Sequence, residues 1–171
     1  ERLFEFIHID KLKPVDAKEA LCKPAERENV TFTPDAIEEI LQETQGYPHF
    51  IQQWGKNSWD IASKSPITKE DAKQATILAL DGLDQGFFRV RFDRLTAAER
   101  KYVRAMAEMG PGPHRSGDIA QKMNRGVSNV APVRASLIRK GMIYSPRLGD
   151  TAFTAPLFDG FLKRTLPDFS S

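Results

Sequence analysis

Apolar residues in the first half of the chain recur at helical spacing and are separated by turn-forming residues. A short helix is predicted over Ala17–Cys22, capped by Asp16 and ended by Pro24, because proline cannot continue the helical hydrogen-bond ladder. The next helix is predicted to begin at Pro34, where the missing proline N–H costs nothing, and to end at Gly46, which can take a left-handed conformation. This half therefore starts as a helical bundle.

Two further predicted helices complete the bundle. One runs from Pro48 to about Ser63, and the other follows a cap pair of Thr68 and Asp71 and continues to Leu83. Phe50, Ile51, Trp54 and Ile61 share one predicted face of the first helix, and the second passes through Ala72, Ala75, Ile77, Leu80 and Leu83. An apolar cluster that contains Phe87, Phe88, Val90 and Phe92 comes next, and we interpret it as the core of a hinge to the second half.

The second half begins with a capping-box pattern formed by Thr96 and Glu99, which predicts a helix to Met109. A short helix is predicted over Gly117–Met123. It is followed by a tight turn over Asn124–Gly126, in which the glycine is free to take a positive φ. The second half is therefore predicted to begin with a helix, a short helix and a tight turn.

A third helix is predicted from Val127 to Lys140, and after it the apolar period shortens to that of a strand. Strands are predicted over Met142–Tyr144 and Thr151–Thr154, joined by a turn with a Gly-Asp tip, and a last helix extends through Leu162. The order of helix, short helix, turn, helix and hairpin is typical of a winged helix-turn-helix.

The predicted fold class is therefore mainly α, with a helical bundle followed by a winged helix-turn-helix domain that carries a small β-hairpin wing. We place the bundle at residues 1–83, the hinge at 84–95, the winged helix at 96–166 and a tail at 167–171. Residues 1–13 are interpreted as the exit from a preceding domain.

The amino-acid composition excludes several classes of protein. Of the 171 residues, 40% are hydrophobic and 28% are charged, which is typical of a folded globular chain. No apolar run approaches the roughly 20 residues of a membrane span, so we expect no membrane partner and a cytoplasmic protein. The single cysteine, Cys22, excludes a disulfide framework, and the three histidines are too far apart for a helical metal site.

Charge is distributed unevenly along the chain. Residues 1–93 carry 12 Lys/Arg and 17 Asp/Glu, whereas residues 94–171 carry 13 and 6, so the net charges are −5 and +7. A basic winged helix suggests an anionic partner, and we predict double-stranded DNA. The alternative is two solvated surfaces of different sign, and the oligomeric state stays open.

Candidate DNA-binding residues come from the predicted outward face of the third helix, the flanks of the second helix and the wing tip. Arginine in such positions suits guanine edges or phosphates. The candidates are Arg115, Arg125, Ser128, Asn129, Arg134, Ser136, Arg139, Lys140 and Arg147. Many winged helices bind protein instead, so a protein-interaction or autoinhibitory module is the alternative function.

The residues indicate no enzyme. No nucleophile has a neighbouring base and oxyanion site, and no Gly-rich phosphate loop with a following Lys-Ser/Thr is present. We therefore expect the chain itself to have no catalytic residue, no bound metal and no cofactor.

Three segments resemble the lid and winged-helix portions of P-loop ATPases of the AAA and STAND groups. They are Thr44–Gln52 with the following Trp54-Gly55, Phe87–Asp93, and Lys140–Pro146. The resemblance covers essentially the whole chain. Archaeal origin-recognition-type initiators share the order of ATPase core, helical lid and winged helix.

The resemblance implies that the bundle is a lid that closes over a nucleotide held by an upstream ATPase core, which would bind ATP and Mg²⁺. In STAND-type members a Gly-x-Pro turn lies against the adenine, and Gly46, Tyr47 and Pro48 match that pattern. The predicted helix after Pro48 carries Lys56 and no arginine, which departs from the arginine sensor of initiators. Because the chain begins with Glu1, we expect it to be part of a longer protein. Without the resemblance, the turn would be a plain helix break.

Overall fold

The computed structural model describes residues 11–168, so most of the exit segment predicted over residues 1–13, and residues 169–171, lie outside the described residues. The chain divides into two compact units, of which one ends at Gly82 and the other begins at Leu83. The described residues are mainly helical and include a small antiparallel sheet in the second unit, as the sequence predicts.

The first unit is a bundle of helices in which proline marks most of the helix starts. Its helices are α1 (Pro14–Glu26), α2 (Pro34–Thr44), α3 (Pro48–Ile61) and α4 (Lys69–Gly82). The predicted cap pair at the start of α4 is confirmed, because the Asp71 carboxylate accepts the Thr68 N–H at 2.8 Å. The buried core includes Ile40, Phe50, Ile51, Trp54, Ile67, Ala72 and Ala75.

Helix α1 corrects one prediction, because it continues through Pro24 instead of ending before it. A proline in a helix leaves the carbonyl four residues earlier without its usual donor. Here that carbonyl belongs to Ala20, and the side-chain amide of Gln52 on α3 donates to it at 3.1 Å. A tertiary contact therefore replaces the missing backbone hydrogen bond, which local sequence cannot indicate.

The second unit combines helices with three short strands. Its elements are a π-helical segment (Leu83–Phe88), α5 (Arg89–Asp93), α6 (Ala97–Glu108), β1 (His114–Arg115), α7 (Ser116–Lys122), α8 (Val127–Arg139), β2 (Ile143–Tyr144), β3 (Asp150–Phe153) and α9 (Phe158–Thr165). The sheet order is β1-β3-β2, both pairings are antiparallel, and β2 and β3 form the predicted wing hairpin. Strand β1 was not predicted, because two residues carry no periodicity.

Aromatic rings form the core of this unit beside α6. Phe88 and Phe92, from the segment predicted as a hinge, are buried and lie 5.4 and 5.7 Å from Phe161 between ring centroids. Phe161 also stacks on Phe158 at 5.6 Å. Residues 83–95 therefore contribute core side chains to the second unit.

Three local features show where the sequence pattern agrees with the structure and where it does not. The capping box of Thr96 and Glu99 is confirmed in both directions. The positive φ of the turn before α8 belongs to Asn124 at 53°, not to Gly126, which takes −70°. Ile77, an apolar position of the predicted helix, is 63% exposed, because the buried positions of α4 are alanines at 72, 75 and 79.

Candidate nucleic-acid interface

The candidate interface is built on α7, the turn after it, α8 and the wing. Helix α8 buries Val130 and Leu137 against the unit, so its remaining side chains divide between its flanks and its exposed face. The wing turn lies between β2 and β3, and the N–H of Ser116, at the start of α7, donates to the carbonyl of Gly149 in that turn at 2.9 Å. The short helix and the wing are thereby joined at the backbone.

Arg134 corrects the predicted outward face of α8. Its Nε donates to Thr151 Oγ1 at 2.8 Å, and its Nη2 donates to Ser145 Oγ at 3.0 Å and to the Asp150 carbonyl at 2.9 Å. All three acceptors belong to the wing hairpin or its turn. The prediction that this arginine projects outward is wrong, because the hairpin covers that flank of α8 and supplies acceptors for its guanidinium.

Ser136 and Lys140 also direct their polar atoms into the unit. The Ser136 hydroxyl donates to Glu99 Oε1 at 2.8 Å. The Lys140 ammonium donates to Glu99 Oε2 at 2.7 Å and to the Arg94 carbonyl at 2.8 Å. The prediction that Ser136 faces outward is therefore wrong, whereas Lys140 is exposed as predicted but its ammonium is held by the buried carboxylate on α6.

That carboxylate is the most strongly perturbed acid of the unit. Burial alone would raise the pKa of Glu99, but hydrogen bonds from Lys140, from the Thr96 N–H and from the Ser136 hydroxyl lower the pKa to about 2. Glu99 therefore remains ionised at neutral pH and holds α6 to α8.

The remaining candidates lie on the surface. Arg115 is on β1, Arg125 is in the turn before α8, Arg139 is at the end of α8 and Arg147 is in the wing turn, and all four are exposed. Within residues 11–168 none of these four guanidinium groups forms a salt bridge. Ser128 and Asn129, in the first turn of α8, are exposed too.

The exposed face of α8 carries a feature that the sequence reasoning missed. Val127, Ala131, Ala135 and Ile138 recur at spacings of four, four and three, and all four are exposed. Pro132 is also exposed on this helix. Helical spacing predicts that Ile138 faces inward together with Val130, Val133 and Leu137, and this is wrong for Ile138, which is 37% exposed.

The wing turn ends in an apolar side chain. Leu148, between Arg147 and Gly149, is wholly exposed at 105% of its reference area. Ser145 holds the turn, since its hydroxyl oxygen lies 2.8 Å from the Arg147 carbonyl and 2.9 Å from the Asp150 carbonyl.

The predicted nucleotide-contact turn lies in the first unit, between α2 and α3. Gly46 has a φ of 79°, and its carbonyl accepts the Leu12 N–H at 2.8 Å. A Cβ at this position would lie 2.9 Å from the Leu12 carbonyl oxygen, so glycine is required both by conformation and by space. Tyr47 is half-buried beside Phe50, and Pro48, the first residue of α3, is exposed.

Parts of the chain are similar to known proteins. Residues 85–162 match a family described as a domain of unknown function (DUF8462). A protein of Methanocaldococcus jannaschii named as an uncharacterized HTH-type transcriptional regulator is 30% identical over 122 residues, which are 71% of this chain and 29% of that protein. The chain thus spans less than a third of the length of this relative.

Among solved structures, a point mutant of Thermotoga maritima RuvB is similar with 17% identity and a TM-score of 0.43, over 95% of this chain and 51% of that one. The T. maritima RuvB Holliday junction branch migration motor is similar with 16% identity and a TM-score of 0.40, over 84% and 47% of the two chains. Within residues 11–168, no helix combines the length and the apolar character that a membrane span requires.

Proposed function

We propose that the second unit is a winged helix that binds double-stranded DNA, chiefly through its phosphate backbone. The observation that carries this proposal is a set of four exposed arginines on β1, the turn before α8, the end of α8 and the wing, none of which forms a salt bridge with another described residue. Arginine donates to phosphate in a fixed fork. The name of the M. jannaschii relative is compatible with such a role.

The binding is expected to depend little on base sequence. Direct readout in the major groove needs side chains that donate to or accept from base edges. The exposed face of α8 presents such groups only near its ends, at Ser128, Asn129 and Arg139, and carries the apolar stripe between them. Contacts to phosphate therefore dominate the proposed interface.

The test is fluorescence anisotropy of the 171-residue chain with a labelled duplex over a range of salt concentrations. Wild type should bind weakly, and log K should fall linearly with log salt. Arg139→Ala should reduce that slope by about one if this arginine meets a phosphate. Lys56→Ala, which removes an exposed cation of the first unit, is the matched control and should leave the slope unchanged. Flat anisotropy at low salt would exclude DNA as the partner.

The second candidate function is a protein-interaction or autoinhibitory module. The apolar stripe on α8 favours it, because an exposed row of apolar side chains suits a protein surface. This function predicts no salt-dependent DNA binding. It also predicts faster ATP turnover by the longer protein once residues 96–171 are removed.

We further propose that the first unit is the lid of a longer P-loop ATPase, and that the chain alone hydrolyses nothing. The resemblance of Gly46, Tyr47 and Pro48 to the Gly-x-Pro pattern supports this role. The start of α3 is the positive end of its helix dipole, and the exposed Pro48 ring there offers an apolar surface for a base. ATP and Mg²⁺ would be held by the upstream core. A sequence upstream of Glu1 without a phosphate loop would contradict the proposal.

A further inference from the structure

The wing tip presents an apolar side chain in an unusual position. Leu148 is wholly exposed, whereas the neighbouring residues of the turn are polar, basic, glycine or proline. A single exposed leucine is common on protein surfaces and indicates nothing alone. Whether Leu148 has a function depends on how rigidly its turn is held and on which side chains surround it.

The turn is fixed by hydrogen bonds on both sides of Leu148. The carbonyl of Arg147 accepts the Asp150 N–H at 3.0 Å, and the carbonyl of Gly149 accepts the Ser116 N–H and hydroxyl, each at 2.9 Å. Arg134 on α8 also donates to Ser145 and to the Asp150 carbonyl. The leucine therefore projects from a turn that is tied to both helices of the helix-turn-helix.

The surroundings of the tip suit a polyanion. Arg147 precedes the leucine, and Arg115 pairs with Asp150 across the sheet at the base of the turn. Both arginines are exposed. A protein that binds DNA can hold the phosphates with arginine and insert an apolar side chain between base steps from the minor groove.

We propose that Leu148 is a wedge that enters the minor groove of bound DNA and unstacks one base step. The inference rests on the proposed DNA binding and assigns the base contact to the wing rather than to α8. The stripe of Val127, Ala131, Ala135 and Ile138 supports that assignment, because it leaves the middle of α8 without groups that read base edges. Flexible pyrimidine–purine steps should be the preferred sites.

The experiment uses the 171-residue chain and short duplexes that carry 2-aminopurine beside a central TA step or within an A-tract. Fluorescence of 2-aminopurine, which rises when a base unstacks, is recorded at saturating protein, and anisotropy on the same duplexes reports binding. The variants are Leu148→Ala, Leu148→Met and, as a matched control, Leu78→Ala, which removes a leucine on α4 that is 57% exposed.

Wild type, Leu148→Met and Leu78→Ala should increase the fluorescence of the TA duplex more than that of the A-tract duplex. Leu148→Ala should lose most of the increase and keep the salt slope of wild type, because no phosphate contact is removed. Unchanged fluorescence with saturating wild type, or an increase that Leu148→Ala retains, would overturn the wedge while leaving DNA binding intact. Absence of any anisotropy change would overturn the wedge together with the proposed function.

Discussion

The two units use their charged side chains in different ways. In the first unit the ion pairs lie on the surface, and most link residues three or four apart on one helix, such as Lys56 with Asp60 at 2.6 Å. In the second unit one pair, Arg104 with Glu108, lies within α6, but two others join separate elements, Lys140 with Glu99 and Arg164 with Asp84. The net charge of a segment therefore does not measure the charge that it offers to a partner.

This difference changes the meaning of the basic second half. Arg104 donates to the carbonyls of Leu166 and Pro167, and Arg100 lies over the ring of Phe92 at 4.4 Å. With Arg134 and Lys140, these side chains are structural components of the unit. The cations available to a polyanion are the smaller exposed set that includes Arg115, Arg125, Arg139 and Arg147.

The largest expected effect comes from removing the buried carboxylate of the second unit. Glu99→Ala should lower the free energy of unfolding by about 3 kcal/mol, because it removes the capping box and leaves Lys140 and Ser136 without their acceptor. Urea unfolding followed by circular dichroism would measure the loss. Both tryptophans, Trp54 and Trp59, lie in the first unit, so their fluorescence reports the unfolding of that unit separately.

The matched control for that experiment is a surface pair. Asp60→Ala removes the partner of Lys56 and should change the free energy of unfolding by less than about 0.5 kcal/mol. Equal losses of unfolding free energy for Glu99→Ala and Asp60→Ala would mean that charged groups do not stabilise the two units differently.

The stabilising contribution of the Glu99 carboxylate should decrease at low pH. The pKa of Glu99 lies at about 2 in the folded chain and near its ordinary 4.5 when unfolded, so its contribution to stability is complete above the unfolded value and falls as pH drops. Between pH 5 and pH 2.5, wild type should lose about 2 kcal/mol more than Glu99→Gln. Unfolding curves of both chains across that range test this, and parallel losses would mean that Glu99 is not specially stabilised.

A smaller effect is expected from the arginine that joins α8 to the wing. Arg134→Ala should cost about 1.5 kcal/mol in unfolding free energy, because it removes three hydrogen bonds and leaves the buried Thr151 with fewer partners. Urea unfolding measures the loss. Arg139→Ala, which removes an exposed arginine of the same helix, should unfold like wild type. A larger loss of unfolding free energy for Arg139→Ala than for Arg134→Ala would mean that Arg139, and not Arg134, stabilises the unit.

Local signals account for the parts of the fold that the sequence predicts well. The capping box at Thr96 and the prolines at the starts of α2 and α3 act within a single helical turn, so a short stretch of sequence contains all the necessary information. The hairpin follows from a change of period and a turn signal. These elements together define the winged-helix order.

The site was harder to predict, because the direction of its side chains depends on distant partners. Arg134 has the spacing of a flank residue, and only the register of a hairpin that begins nine residues later places acceptors beside it. Lys140 is likewise directed by a carboxylate 41 positions earlier. Helical periodicity assigns a face, but it does not assign a hydrogen-bond partner.

The hydrogen bonds of Arg134 also predict which positions should change together among related sequences. Its guanidinium needs acceptors that the hairpin supplies through Ser145 and Thr151, and those hydroxyls in turn are arranged around an arginine. A change at any one of these positions leaves the others mismatched. Positions 134, 145 and 151 should therefore co-vary among relatives, whereas position 139 should drift independently of them.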